Sequence, residues 1–318
     1  MGHSRALRGL IVDLVTPLRK SGEIDGSSLG RHLDRLLPYV HAVFIASPYA
    51  GGGVHLSSSQ REDLLDKSLV VIRGQMPLLV WVTQDTEEST KETLLLLRKR
   101  VATRRYEGPV FWVDTPLYYH SNRGLFLHYR NFSTLVKEPW IIHNDPELII
   151  KLGRSFKRNN LRTAILKSVA GIEAIHGLVF LGPLERAANY QKAVRRRPEF
   201  KVYDGDELHF LKYPSMSGVV SAGANLAPKA WRKITDASLY STDSRQEYPD
   251  QLQQLWDTGL YLQKLLESYS PFPAPLIKAA LLKMGVIENA EKAAGVNNLD
   301  PPLVEIEETM KARGDWGN

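Results

Sequence analysis

A lysine near the end of an apolar segment is the first feature of this chain that indicates chemistry. Lys167 directly follows Ala164, Ile165 and Leu166. Burial lowers the pKa of a lysine, and a neutral amine in a dry pocket can attack a carbonyl carbon to give a carbinolamine and then an iminium ion. The alternative is that Lys167 lies on an outer surface and extends its ammonium into water. Position alone leaves the two interpretations balanced.

Other polar side chains also stand where short apolar runs end. They are Thr16, Ser47, Thr83, Asp114, Thr115, His143, Asn144, Ser168, Asp204, Asp206 and Ser221. Ser, Thr, Asn and Asp at such places also cap the helices that follow, so most of this set has a purely structural explanation. Among these side chains, His143 can relay protons near neutral pH.

The elements that would position these side chains follow a regular alternation. Eight short apolar runs are predicted as strands. Because these strands are apolar on both faces, they favour a parallel sheet that is covered by helices on both sides. The runs are residues 9–16, 42–47, 78–83, 110–115, 140–144, 163–168, 201–204 and 218–222.

Helical patterns separate these runs, including residues 172–178 after the predicted sixth strand. Eight βα units in this length predict an α/β fold, a (β/α)₈ TIM barrel over residues 1–228. Residues 229–318 predict a C-terminal helical extension packed on the barrel as one structural unit. A doubly wound sheet is the main competitor, but no Gly-x-Gly-x-x-Gly follows the first strand.

Composition narrows the functional classes. The formal net charge is +6 with scattered basic residues, so nucleic-acid binding is not expected. There is no cysteine, which excludes disulfides and thiolate chemistry. No apolar stretch is long enough to cross a membrane, and a cytoplasmic enzyme is the expectation. His120, His128, His143 and His209 show no recognised metal spacing, so neither a metal nor a cofactor is expected.

An ordered set of motifs resembles the dihydrodipicolinate synthase and N-acetylneuraminate lyase family across almost the whole chain. The motifs are residues 9–17 (GLIVDLVTP), 56–57 (LS) with 61–62 (RE), 115–119 (TPLYY), 141–146 (IIHNDP), 164–168 (AILKS), 204–206 (DGD), 218–221 (GVVS) and 224–228 (ANLAP). The resemblance implies a class I mechanism in which Lys167 condenses with the keto carbon of pyruvate or a related 2-oxo acid. It also implies a homotetramer or homodimer.

The chain departs from the family pattern at the residues that usually assist the lysine. Residues 48–52 (PYAGG) stand where the family has Gly-Thr-Thr-Gly-Glu, and His143 stands at the tyrosine that shuttles the proton. Leu148 replaces the arginine that would hold a dicarboxylic partner, which weakens the case for dihydrodipicolinate synthesis. Tyr118 is the expected tyrosine of the Pro-Tyr-Tyr loop when the alignment is anchored on Pro116, and Tyr119 is the alternative.

Two hypotheses follow for the function. The first is a Schiff-base lyase with Lys167, His143 and Tyr118 as catalytic residues. Its substrate-binding residues are Ser47, Tyr49, Ala50 and Val220. The second is a barrel that has drifted catalytically and binds a 2-oxo acid or a partner without turnover.

Overall fold

A computed structural model describes residues 8–153, 158–214, 216–240, 248–290 and 299–317. Eight parallel strands close into a barrel in sequence order, and β1 pairs with β8 to complete the ring. The (β/α)₈ prediction is confirmed. The strands are β1 Gly9–Asp13, β2 Ala42–Ile45, β3 Leu78–Trp81, β4 Val110–Asp114, β5 Trp140–Asn144, β6 Ile175–Phe180, β7 Lys201–Asp204 and β8 Gly218–Ser221.

Helices surround the barrel and continue after the last strand. They are α1 Gly26–Leu36, α2 Ser58–Ile72, α3 Glu87–Thr103, α4 Leu125–Leu135, α5 Pro146–Lys151, α6 Thr163–Val169, α7 Leu184–Val194, α8 Glu207–Lys212, α9 Pro228–Leu239, α10 Tyr248–Tyr269, α11 Pro273–Lys283 and α12 Asp300–Lys311. Several begin with side-chain caps: Ser57 and Gln60 form a capping box at α2. Two short 3₁₀ turns, Pro116–Tyr118 and Gly223–Asn225, follow β4 and β8.

The predicted sixth strand is wrong. Thr163–Val169 forms α6, because Leu166 and Val169 are spaced for one buried helical face while Lys167 and Ser168 face solvent. The sixth strand is Ile175–Phe180, most of which was predicted as a helix. This strand needs glycine at position 177, because a Cβ there would lie 2.8 Å from the Lys201 carbonyl oxygen of β7.

The apolar core has two layers. One fills the barrel and includes Ile11, Trp81, Phe111 and Val179. The other lies between the strands and the helices. Strand side chains alternate between these layers, so residues with the parity of Ile11 on β1 face the barrel interior.

The C-terminal helices meet the barrel close to its mouth. α9 begins at Pro228, and the Tyr269 hydroxyl at the end of α10 donates to Glu207 Oε2 at 2.8 Å. The division of the chain at residue 228 stays a prediction. In the described part of the chain, no helix combines the length and apolarity needed to cross a membrane.

Candidate functional site

The sequence-predicted nucleophile is not in the barrel. Lys167 lies on α6 with its side chain exposed, outside the strand that was expected to present it. An exposed lysine keeps its ammonium hydrated, so it is not the desolvated amine on which the argument for imine chemistry depended. The placement of Lys167 in the sixth strand is therefore corrected.

The sixth strand of the structure places an apolar side chain inside the barrel, where the lysine was expected. Val179 on β6 belongs to the interior cluster and is 1% exposed. Lys201 on β7 is half-buried at the opposite end of its strand, where Nζ donates to the Pro198 carbonyl at 2.7 Å. No lysine is buried in the part of the chain that the structure describes.

A carboxyl group that sequence reasoning did not select stands at the end of β1. Asp13 shares the interior parity of Ile11 and is 3% exposed. Its Oδ2 accepts the Ala50 amide at 3.2 Å, and Ser47 is a second hydrogen-bond partner. Oδ1 is buried without a hydrogen-bond partner. A strand otherwise made of apolar residues was the available signal for this residue.

The loop after β2, residues 46–56, closes tightly around this carboxyl. Besides Ala50, the Gly51 amide donates to Ser47 Oγ at 2.8 Å and the Gly53 amide to the Ser47 carbonyl at 2.7 Å. A Cβ on Gly53 would lie 1.8 Å from the Ala46 carbonyl, so this turn requires glycine. The amides of Ala50, Gly51 and Gly53 are thus engaged by the protein itself.

Arg61 of α2 fixes that loop from below. Its guanidinium donates to the Gly53 carbonyl at 2.6 Å and to the Trp81 and Thr83 carbonyls at 3.3 Å. It also lies over the Trp81 ring, 4.9 Å from its centroid. Burial lowers the pKa of Arg61 to about 10, so it is protonated at neutral pH.

Glu207 is a second buried carboxyl at the mouth. Oε1 accepts the Gly223 amide at 2.8 Å and the Ser221 hydroxyl, and Oε2 accepts the Tyr269 hydroxyl. Burial outweighs these hydrogen bonds and raises the pKa of Glu207 to about 7. Burial likewise raises the pKa of Asp13 to about 7, with a smaller contribution from the charge of Glu207. Both carboxyls thus titrate near neutrality.

His143 lies at the end of β5 as predicted, buried inside the mouth. The Trp81 indole donates to Thr115 Oγ1 at 2.9 Å, and Thr115 Oγ1 is 3.1 Å from His143 Nδ1. The Thr115 hydroxyl can donate to Nδ1 or accept from it, according to the tautomer of the imidazole. Burial lowers the pKa of His143, while Asp145 opposes this effect. The ring is therefore neutral at pH 7.

Tyr118 and Val220 are buried near different parts of the mouth. Tyr118 is 6% exposed and packs edge-on against Trp81, with ring centroids 6.2 Å apart. Val220 belongs to the interior cluster. Their roles in binding and catalysis stay predictions.

A cavity of about 410 Å³ includes Glu207 in its lining. Tyr49 and Leu148 line it, as do Leu181, Leu208 and Leu266. Its ionisable lining consists of Lys151 and five carboxyl residues, Asp145, Glu147, Asp206, Glu207 and Glu267. Burial is the largest cause of a raised pKa for Tyr49, followed by the charges of Glu207 and Asp13. The lining is thus apolar on several sides and carries an excess of negative charge.

A closed ring of eight parallel strands with polar groups at their carboxyl ends defines the class of (β/α)₈ barrels that carry their site at that face. The model of the dihydrodipicolinate synthetase family matches residues 6–313. The chain belongs to this family.

Relatives and solved structures agree with that assignment. The 4-hydroxy-tetrahydrodipicolinate synthase of Thermotoga neapolitana is 27% identical over 292 residues, covering 89% of this chain and 90% of its own. That of Psychromonas ingrahamii is 27% identical over 293 residues, covering 90% of each chain. Homologues in the family are class I lyases.

The structural likeness extends over the whole barrel and its extension. A dihydrodipicolinate synthase of Bacillus anthracis has a TM-score of 0.78 at 16% identity, covering 97% of this chain and 99% of its own. YagE, a prophage protein of the same family from E. coli K12 solved with pyruvate, has a TM-score of 0.77 at 17% identity, covering 96% and 98%. At these identities the likeness concerns the fold.

Proposed function

We propose that this chain is a member of the dihydrodipicolinate synthetase family that binds a small ligand at the barrel mouth without forming a Schiff base. The observation that carries the proposal is the interior of the barrel, where the described residues include no lysine and β6 presents Val179. An imine needs a neutral amine within bonding distance of the keto carbon. Lys167, on the exposed face of α6, does not supply it.

The loop after β2, residues 46–56, supports the same proposal. A 2-oxo acid needs hydrogen-bond donors for its carboxylate, and Asp13 already accepts the Ala50 amide. A free carboxylate at this position would also lie beside the Asp13 carboxyl. Like charges at such separation repel strongly in a buried site. We therefore expect pyruvate to bind weakly at this mouth.

The lining of the cavity indicates the ligand class. Five carboxyl residues face one lysine, and four leucines with the Tyr49 ring supply apolar surface. Such a lining favours a small ligand with an amine or another positively charged group and an apolar body. The volume of about 410 Å³ fits a small molecule.

Reductive trapping tests the absence of imine chemistry. The native protein and the Lys167→Ala variant would be incubated with pyruvate and borohydride, and each intact mass measured. We expect no stoichiometric adduct on either protein. A single pyruvate adduct on a defined lysine of the native protein would refute the proposal, and its loss in Lys167→Ala would identify that residue as the site.

A ligand screen tests the charge preference. Small amines and 2-oxo acids would be compared by thermal shift and then by calorimetry. We expect amines to bind, and Glu147→Gln with Glu267→Gln to weaken them. Glu305→Gln, at an exposed carboxyl that does not line the cavity, is the matched control. Preferential binding of 2-oxo acids would contradict the assignment of ligand class.

A second function has specific support in Asp13. This carboxyl combines an unpartnered buried oxygen with a pKa of about 7, a pattern common at acid–base sites. In a lyase that forms no imine, the Asp13 carboxylate would accept a proton from a carbon next to a carbonyl group, and the electron pair would pass to the carbonyl oxygen as an enolate. Deuterium exchange at carbon positions of bound carbonyl compounds, lost in Asp13→Asn, would distinguish this function from binding alone.

A further inference from the structure

Outside the barrel mouth, three side chains with metal-binding atoms meet above β3 and β4. Glu87 is the first residue of α3, His120 follows the 3₁₀ turn after β4, and His128 lies in the first turns of α4. One ligand atom from each lies within 4.8 Å of the other two. The elements that hold them are anchored locally, since the His120 amide donates to the Pro116 carbonyl and the His128 amide to the Gly124 carbonyl.

His128 directs its Nδ1 into this cluster. Its side chain is 1% exposed, and Nδ1 is buried without a hydrogen bond of acceptable geometry. Glu87 Oε1 nevertheless lies 3.3 Å from Nδ1. Two ligands of a tetrahedral Zn²⁺ with bonds of about 2.0–2.1 Å are about 3.3 Å apart, so this separation is already that of a metal-bound pair.

The remaining nitrogen of each histidine has a partner that orients the ring. His120 Nδ1 lies 2.7 Å from the Ser121 carbonyl, which accepts, so Nδ1 carries the hydrogen and Nε2 keeps its lone pair. His128 Nε2 lies 3.0 Å from the Tyr119 hydroxyl, which itself donates to Asp114 Oδ2 at 2.9 Å. Nε2 therefore donates and Nδ1 keeps its lone pair. Backbone carbonyls and carboxylate-linked groups behind histidine ligands are typical of metal sites.

We propose that Glu87, His120 and His128 bind one divalent transition-metal ion, with Zn²⁺ as the best match. Two neutral imidazoles and one carboxylate are ligands that suit Zn²⁺. They leave a fourth coordination position for water. The side chain of Glu87 is 50% exposed, so the ion can enter from solvent and the carboxylate can rotate to close the remaining gap. The histidine spacing in the sequence had not predicted this site, because Glu87 comes from a different βα unit.

The test uses the full-length protein stripped of metal with a chelator. Zn²⁺ binding would be followed by calorimetry and by metal content after dialysis. Co²⁺ would be added separately, because its visible absorption reports tetrahedral nitrogen and oxygen ligands. We expect one Zn²⁺ per chain with a dissociation constant in the micromolar range or below. We expect His120→Asn and Glu87→Gln to weaken binding roughly 100-fold or more, since loss of an outer partner alone costs about 10–100-fold.

Matched controls separate this site from general histidine and carboxylate binding. Glu88→Gln changes the neighbouring exposed glutamate in the same helical turn, and His55→Asn changes an exposed histidine elsewhere. Both should bind Zn²⁺ as the native protein does. Tyr119→Phe removes the group that orients His128 and should weaken binding roughly tenfold while retaining the Co²⁺ spectrum. Absence of micromolar Zn²⁺ binding, or equal affinity in His120→Asn and the native protein, would overturn the proposal.

Discussion

Replacing Asp13 with asparagine should make the protein more stable at alkaline pH. Asparagine keeps the shape of the side chain, and its carbonyl can still accept the Ala50 amide. The pKa of Asp13 is about 7 in the folded protein against an ordinary 3.8, because burial disfavours the carboxylate. The folded state therefore binds more protons than the unfolded state between these values. Stability is present below this range and is lost as the pH rises toward 7.

The size of the effect follows from the titration window. Between about pH 5 and pH 9, about 2 units of the shift are traversed, and at 1.36 kcal/mol per unit the native protein loses about 3 kcal/mol through Asp13. Asp13→Asn does not lose this contribution. The free energy of unfolding of the variant, relative to the native protein, should thus rise by about 3 kcal/mol over the same range.

Urea unfolding followed by tryptophan fluorescence at several pH values measures this difference. Glu207 titrates in both proteins, so the difference between them contains the titration of Asp13 and its interaction with Glu207. Asp34→Asn, at an exposed carboxyl on α1, makes the same chemical change without burial and should leave the pH dependence unchanged. A native-to-Asp13→Asn difference that stays constant from acid to alkaline pH would refute the reasoning.

Three further variants test other parts of the structure. Lys167→Ala should change the free energy of unfolding by less than about 0.5 kcal/mol, as for an ordinary surface position, and should leave ligand binding intact. Loss of ligand binding in this variant would show that Lys167 contributes to the binding site. Tyr269→Phe leaves Glu207 Oε2 without its hydroxyl donor and should destabilise the protein by about 1–3 kcal/mol. The loss of stability should be larger above pH 7, where Glu207 is ionised. A loss that does not grow with pH would contradict this expectation. Trp256→Glu tests the predicted homo-oligomer, because Leu252, Trp256 and Leu260 form an exposed apolar stripe on α10. Light scattering should show a smaller species for this variant at the same concentration, and an unchanged mass would exclude the stripe as the contact.

Seven of the eight strands could be predicted because each is a short apolar run bounded by turn residues. The failure at the sixth strand has a physical cause. Residues 163–168 have the composition of a strand, yet Leu166 and Val169 recur with helical spacing, and the real strand contains His176 and Gly177. Gly177 is there because the β7 backbone approaches closely, which is a tertiary fact that local composition does not contain.

Only part of the candidate site could be predicted from the sequence, because some of its contacts join residues that are far apart in the chain. His143, Tyr49 and Ala50 could be selected as candidates because they lie at or after strand ends in motifs of recognisable order. Asp13 was missed because its partner Ala50 lies 37 residues away, and only the closed barrel shows that its carboxyl meets that amide. Its position inside an apolar strand is the same kind of signal as the position of Lys167 in an apolar run.

The contacts of Arg61 have a consequence for the kinetics of binding. One guanidinium ties the loop after β2 to the carbonyls that end β3, so opening that loop would leave a buried cation and several carbonyls without partners. This rim of the cavity is therefore set before any ligand arrives, and binding there incurs little conformational entropy loss. Association should then depend on diffusion and charge, with a rate that falls as salt concentration rises and that shows no slow closing phase.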